Sequence, residues 1–173
     1  MVQYQKGSLE AFRELYANLA PDLRRYVRFL APGSDAVDDL LQEAFLQLHR
    51  SRAAYNPAYA VRPWMFGLTR NVCLMNRRSM RRRAHIHAVV SDLPDVPVPA
   101  EVDRLADADA IRQSLAELPA DHAEALTLHH VWGFSFDEIA GMLGVSAVAA
   151  RARASRGMAR LRAELERLSS SIP

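Results

Sequence analysis

Apolar side chains return every three or four positions through nearly the whole chain, and no stretch alternates apolar and polar residues as a half-buried strand does. That period predicts helices and little else. Ser8 is placed to cap a first helix whose Leu9, Phe12, Leu15, Tyr16 and Leu19 fall on one face. Pro21 is expected to bend or restart it before Leu23, Tyr26, Val27 and Leu30. Ala31-Pro32-Gly33-Ser34 breaks the pattern. A second helix opens near Ser34 or Asp35 and turns Val37, Leu40, Leu41, Ala44, Phe45 and Leu48 inward. A third starts near Arg62-Pro63, where proline suits a first turn, and runs to about Arg83 with Trp64, Leu68, Val72 and Met75 inward. Residues 84–100 then lose the period and carry Pro94, Pro97 and Pro99, which reads as a linker extended by its prolines. Beyond it the spacing predicts a helix near Glu101–Leu118, one from Pro119 to about Trp132, and two more over Ser135–Leu143 and Ser146–Leu168. The fold class is all-α: two small helical domains, residues 1–83 and 101–173, joined by an extended linker over 84–100.

Composition narrows the function classes. No apolar run approaches the roughly 20 residues of a membrane span, and the start has no apolar signal core, so no membrane insertion and a cytoplasmic location are expected. The single cysteine, Cys73, excludes an internal disulfide and a cysteine-based zinc cluster, and its neighbours Val72 and Leu74 suggest a small apolar filler. The six histidines show no ligand spacing with carboxylates, so no metal and no cofactor are expected. No phosphate-binding glycine loop or nucleophile elbow occurs, which argues against an enzyme. Lys6 is the sole lysine among 22 basic residues. Arginine's planar fork suits phosphates and guanine edges, although a biased genome produces the same preference. Placement along the chain is therefore the stronger indicator.

The segment Phe134-Ser-Phe-Asp-Glu-Ile-Ala-Gly-Met-Leu-Gly-Val-Ser146 is the most specific local signal. Ser135 and Glu138 make a capping box, Ile139 and Leu143 face inward, and Ala140 permits a close helix crossing. Gly144 can take the left-handed conformation that ends a helix, Val145 plugs the corner, and Ser146 caps the next helix. That last helix carries Arg151, Arg153, Arg156, Arg160 and Arg162. A recognition helix needs this arrangement, with its start in the major groove and basic residues on the phosphates. An ordinary helical hairpin with a solvated arginine face is the competing reading.

In the N-terminal half, Asp38, Asp39, Gln42 and Glu43 make an acidic and amide face on the second helix, which taken alone is often just its wet side. The third helix supplies the contrast: Arg70, Arg77, Arg78 and Arg81 approximate a stripe beside Asn71, extended by Arg82 and Arg83. Such a cluster repels itself unless an anion lies against it, and nucleic acid is the natural candidate.

With these motifs assembled, the chain resembles the extracytoplasmic-function group of the sigma-70 superfamily over nearly its whole length. Gly7-Ser-Leu-Glu-Ala-Phe-Arg-Glu-Leu-Tyr16 resembles the family's first helix, and Asp38-Asp-Leu-Leu-Gln-Glu-Ala-Phe45 its polymerase-binding signature. Arg62-Pro-Trp-Met-Phe-Gly-Leu-Thr-Arg-Asn71 resembles its downstream-promoter segment, and Leu118-Pro119 with Gly133-Phe-Ser-Phe-Asp-Glu-Ile-Ala140 the opening of its second DNA-binding domain. The resemblance implies an RNA polymerase specificity subunit with core RNA polymerase and promoter DNA as partners. It implies that Asp38, Asp39, Gln42, Glu43 and Phe45 lie in or beside the surface meeting the clamp coiled coil of the largest polymerase subunit. Arg70, Asn71, Arg77, Arg78, Arg81 and Arg82 are implied at the minus-ten element, with Asn71 beside a base extruded from the non-template strand. Ser146, Ala149, Arg151, Arg153 and Arg156 are implied at the minus-thirty-five element. An anti-sigma factor that holds the protein inactive is implied as a further partner, and the linker is implied to thread toward the RNA exit path.

The chain departs from the family pattern after the turn, where Val148-Ala149-Ala150 stands for the usual Gly-Thr-Val. Ala149 removes a phosphate-binding hydroxyl, and Ala150 and Ala154 replace bulkier packing residues. Truncations of that kind can cost about 2–5 kcal/mol when nothing refills the space. Either neighbouring residues compensate or the domain is marginally stable alone. Trp64 could offer a stacking platform, but its inward period favours core packing. Two other function classes fit parts of the chain. A free-standing helix-turn-helix regulator has no need of the Arg70–Arg83 stripe, and a metal-dependent nucleic-acid-processing enzyme would draw on Asp38, Asp39 and Glu43.

Overall fold

The computed structural model describes residues 1–84, 111 and 114–169. The chain divides into two compact units, Met1–Pro94 and Asp95–Pro173. Every regular element among the described residues is helical. The linker stretch, except for Ala84, and the helix expected near Glu101–Leu118, except at its end, lie outside the described residues.

The first unit contains α1 (Val2–Gln5), α2 (Leu9–Leu30), α3 (Val37–Ser51), a 3-10 turn (Arg52–Ala54) and α4 (Val61–Ala84). Gly7, with φ of 97°, turns the chain into α2, where Ser8 Oγ accepts the Ala11 N–H at 3.2 Å. The helix does not restart at Pro21: α2 is one helix of 22 residues with the proline inside it. Its fixed φ is helical, so the missing N–H and the crowding of the preceding turn are a local cost that the long buried face outweighs. That face is Leu19, Ala20, Leu23, Tyr26, Val27 and Phe29, whereas Leu9 and Tyr16, read from the period as inward, are largely exposed. The α3 pattern holds except at Val37, which is half-buried, with Leu40, Leu41, Ala44, Phe45 and Leu48 all buried.

On α4 the inward stripe is displaced by one position. Met65, Phe66, Thr69, Val72 and Cys73 are buried, Trp64 and Leu68 are half-buried, and Met75 is 65% exposed. Apolar residues occupy both candidate stripes, so the period alone could not select between them. Packing against α2 and α3 together selects the stripe centred on Phe66, whose ring stacks on Tyr26 at 4.9 Å. Thr69 tolerates full burial by donating its hydroxyl to the Met65 carbonyl at 2.9 Å. The Cys73 thiol is buried. Asp22 ties α2 to α4 by accepting from Arg62 at 3.0 Å, and it also pairs with Arg25 one turn along its own helix. Burial pushes the Asp22 carboxyl upward, but the Arg25 and Arg62 guanidiniums outweigh this and hold it below its ordinary value. At the other end, Gln5 Nε2 donates to the Arg52 and Tyr55 carbonyls, fastening α1 over the 3-10 turn.

The second unit contains α5 (Ala120–His130), α6 (Phe136–Leu143) and α7 (Ala147–Ser169). All six residues from Ala123 to Leu128 are buried, so α5 is covered on nearly every side. Ser135 and Glu138 form the capping box in both directions, and Gly144 ends α6 at φ of 68°. Ala150 and Ala154 are 0% and 2% exposed. On the same helix face the helices approach closely at Gly157, where a Cβ would sit 3.0 Å from the His122 carbonyl oxygen and 3.3 Å from Leu126 Cβ. Small residues thus let α7 lie almost backbone to backbone on α5, which is compensation in place of a void.

Candidate nucleic-acid interfaces

In the first unit Asp39, Glu43, Arg78 and Arg82, of the acidic and basic residues singled out from sequence, line one groove, whereas Asp38, Gln42, Arg70, Asn71 and Arg77 are not among its lining residues. Asp39, Glu43 and Gln47 of α3 form one wall, and Asn76, Arg78, Ser79 and Arg82 of α4 the other, with Val72 and Met75 among the lining residues. The groove has a volume of ≈ 1090 Å³. The acidic face of α3 is not uniformly available. Asp38 is paired with Arg24 at 2.8 Å, and Glu43 with Arg50 at 3.2 Å while also accepting from Gln47. Asp39 and Gln42 are exposed, and Asp39 has no ion pair among the described residues. A basic partner would therefore meet Asp39 first. Phe45 is not on this surface: it is 5% exposed and packs edge-on to Phe12 at 6.1 Å and against Tyr16 at 4.6 Å. It supports the α3 surface from beneath.

Along α4, Asn71, Arg77, Arg78 and Arg82 are exposed and Arg70 is half-buried. Arg81 lies on the same helix, its side chain outside the described residues. Trp64 is half-buried with its ring 5.0 Å from that of Tyr55, so it is neither wholly core nor a free platform. Arg62, in the first turn of this helix, stands 5.4 Å over the Phe66 ring.

In the second unit, Ser146 Oγ accepts the Ala149 N–H at 3.2 Å and starts α7. The arginines expected to act alike do not. Arg153 turns back to Asp121 of α5 at 3.4 Å and is only 28% exposed. Arg151 is exposed and lies 5.1 Å over the Phe136 ring, and Arg156 is exposed. Phe136 also stacks on His129 at 4.2 Å, and His129 Nδ1 is 2.8 Å from the Phe134 carbonyl oxygen. A carbonyl only accepts, so Nδ1 carries the proton. The adjacent His130 is pushed below its ordinary value by burial, with the charges of His129 and Arg162 adding to the effect. Sequence reasoning missed Phe136 as the support of Arg151. The i to i+15 separation across a turn leaves no period to read, and only the helix-turn-helix topology brings the two together.

Family models agree with this division of the chain: sigma-70 region 2 matches residues 15–83 and sigma-70 region 4 matches residues 108–161. RNA polymerase sigma factor CarQ of Myxococcus xanthus is 32% identical over 99% of this chain and 99% of its own length. The chain belongs to the sigma-70 family, in its extracytoplasmic-function group. ECF RNA polymerase sigma factor SigM of Mycobacterium tuberculosis strain H37Rv is 30% identical over 96% of this chain and 83% of its own length. Among solved structures, the fold is shared with the sigma factor RpoE of Bartonella quintana in complex with the anti-sigma factor NepR. That match has a TM-score of 0.78, with 23% identity over 91% of this chain and 98% of that one. CnrH in complex with the cytosolic domain of CnrY matches with a TM-score of 0.70 and 24% identity, over 95% of this chain and 94% of that one. As a sigma factor, the protein acts in promoter recognition and transcription initiation, and its family comprises regulators rather than enzymes. No helix among the described residues is long and apolar enough to cross a membrane.

Proposed function

We propose that this sigma factor divides its work among three surfaces: Asp39 and Gln42 on α3 for core RNA polymerase, α4 for the minus-ten element, and the start of α7 for the minus-thirty-five element. In this reading residues 1–83 and 101–173 are the two working domains and residues 84–100 the tether between them. The observation that carries it is the groove flanked by opposite charges, with exposed Asp39 on one wall and Arg78 and Arg82 on the other. Arg77, Arg78 and Arg82 hold the phosphates of the opened strand, and exposed Asn71 hydrogen-bonds the base turned out of it. Arg151 and Arg156 meet upstream phosphates or guanine edges, while Arg153 braces the helix. An anti-sigma factor that covers these surfaces would hold the protein inactive, as the complexes of RpoE with NepR and of CnrH with CnrY suggest. Such a protein works in the cytoplasm and catalyses no reaction of its own.

The test separates the surfaces. Asp39→Arg should weaken capture of core polymerase while leaving the far DNA-binding helix untouched. Asn71→Ala should leave polymerase binding and initial promoter binding intact but lower permanganate reactivity of the melted strand. Equal reactivity in both proteins defeats the minus-ten assignment, and unchanged polymerase affinity in Asp39→Arg defeats the α3 assignment.

A further inference from the structure

The α7 helix has two faces that differ in kind. At 100° per residue, Ala150, Ala154 and Gly157 fall together on the buried face, where Gly157 lies close to α5. Val148 sits on the opposite meridian, close to Ser155 and one turn from Arg151, both exposed. Val148 is 79% exposed, the highest value among the exposed large apolar residues described. Its position is costly twice over: a β-branched side chain lowers helix propensity relative to alanine, and its isopropyl group meets water. The flanking Ala147 and Ala149 offer no polar group, and Ser146 Oγ is engaged in the cap. The first turn of this helix therefore presents methyl groups where hydrogen bonds would otherwise be made. No acidic residue occurs on α7 before Glu164, so an anionic partner meets no repulsion along this face.

Resting on the reading of α7 as the upstream DNA-facing helix, we propose that Val148 is a base-reading residue whose isopropyl group packs on the C5-methyl of a thymine in the major groove. The thymine methyl is the one apolar group that a base edge displays there, and apolar side chains at the start of a recognition helix are its natural partner. Arg151 and Arg156 on the neighbouring meridians hold the duplex so that the methyl is reached. The chain thus replaces a hydrogen-bonding first turn with a shape contact specific for thymine over cytosine and over uracil.

The experiment uses holoenzyme assembled from core polymerase and the full chain. A duplex pool randomised over the upstream element is selected for binding, and each thymine of the winning duplex is then replaced singly by deoxyuridine, which removes only the methyl. One replacement should weaken binding about fourfold, the size expected for one buried methyl. In Val148→Ala, which favours the helix, the same replacement should have almost no effect. Arg156→Ala should weaken binding to every duplex and flatten its salt dependence. If no upstream element is selected, or Arg156→Ala changes nothing, the reading of α7 as DNA-facing falls and the proposal with it. If an element is selected and Arg156→Ala weakens it, yet every thymine tolerates deoxyuridine or the penalty survives in Val148→Ala, the thymine contact alone is overturned.

Discussion

The crossing of α7 over α5 makes a prediction in which one substitution at two sites isolates a packing term. Gly157 and Gly141 are both helical, so replacing either by alanine gains up to about 1 kcal/mol of helix propensity. Their surroundings differ. A Cβ at Gly141 meets nothing within 4 Å, whereas one at Gly157 sits 3.0 Å from the His122 carbonyl oxygen, 3.3 Å from Leu126 Cβ and 3.4 Å from the His122 carbonyl carbon. Two of those three atoms are helical backbone and cannot swing aside, so the helices must part by a few tenths of an ångström along a closely packed seam. Overpacking of this kind costs about 1–3 kcal/mol. Gly141→Ala should therefore stabilise the second unit by roughly 0.5–1 kcal/mol, and Gly157→Ala should destabilise it by about 1 kcal/mol. The propensity gain cancels in the comparison, leaving a gap of about 2 kcal/mol, or on the order of 10 °C between melting midpoints. Urea titration of the full chain in a Trp64→Phe background lets Trp132, which is 4% exposed and lies in this unit, report the transition alone. Equal stabilisation by both substitutions would refute the close-approach account of Ala150, Ala154 and Gly157.

Three further outcomes follow from single contacts. Because Arg153 is committed to Asp121, Arg153→Ala should lower the stability of the second unit by up to about 1 kcal/mol and change the salt slope of DNA binding less than Arg156→Ala does; equal slopes in a filter-binding titration would contradict this. The Asp22 carboxyl is held below its ordinary value of 3.8, so its contribution is complete above that pH and is lost as pH falls through the lower folded value. Asp22→Asn should thus reduce stability at neutral pH by about 1–2 kcal/mol and flatten the acid limb of the unfolding curve below pH 4, an effect read by circular dichroism. Ser135→Ala removes the hydroxyl that accepts the Glu138 N–H and should cost about 1 kcal/mol in the second unit, with Ser135→Asn restoring most of it on the same denaturation curve.

Legibility from sequence depended on whether a signal was local. The capping box at Ser135 and Glu138, the left-handed Gly144 and the buried stripe of α3 each occupy one turn or one helix face, and each was readable before any coordinates. The α4 stripe was misjudged by one position because apolar residues flank the arginines on both sides and only contacts with α2 and α3 choose between them. Pro21 does not restart its helix, since a 22-residue helix with six buried positions can carry one missing hydrogen bond. Phe45 was legible as inward from its period of 3.6, but its partners Phe12 and Tyr16 come from another helix and leave no local signal. The separate fates of Arg151, Arg153 and Arg156 were beyond sequence, because they depend on Phe136 and Asp121 arriving from other helices.

The small-residue seam also has an evolutionary consequence. A recognition helix held by backbone proximity on one meridian owes little of its attachment to the side chains on the other. On the proposed reading of α7 as the upstream DNA-facing helix, positions 148, 151, 152 and 155 can therefore drift as promoter sequences drift, without loosening the mount that aims them. Conversely, any enlargement at 150, 154 or 157 shifts the whole reading edge at once, so related chains should diversify outward and stay miniature within.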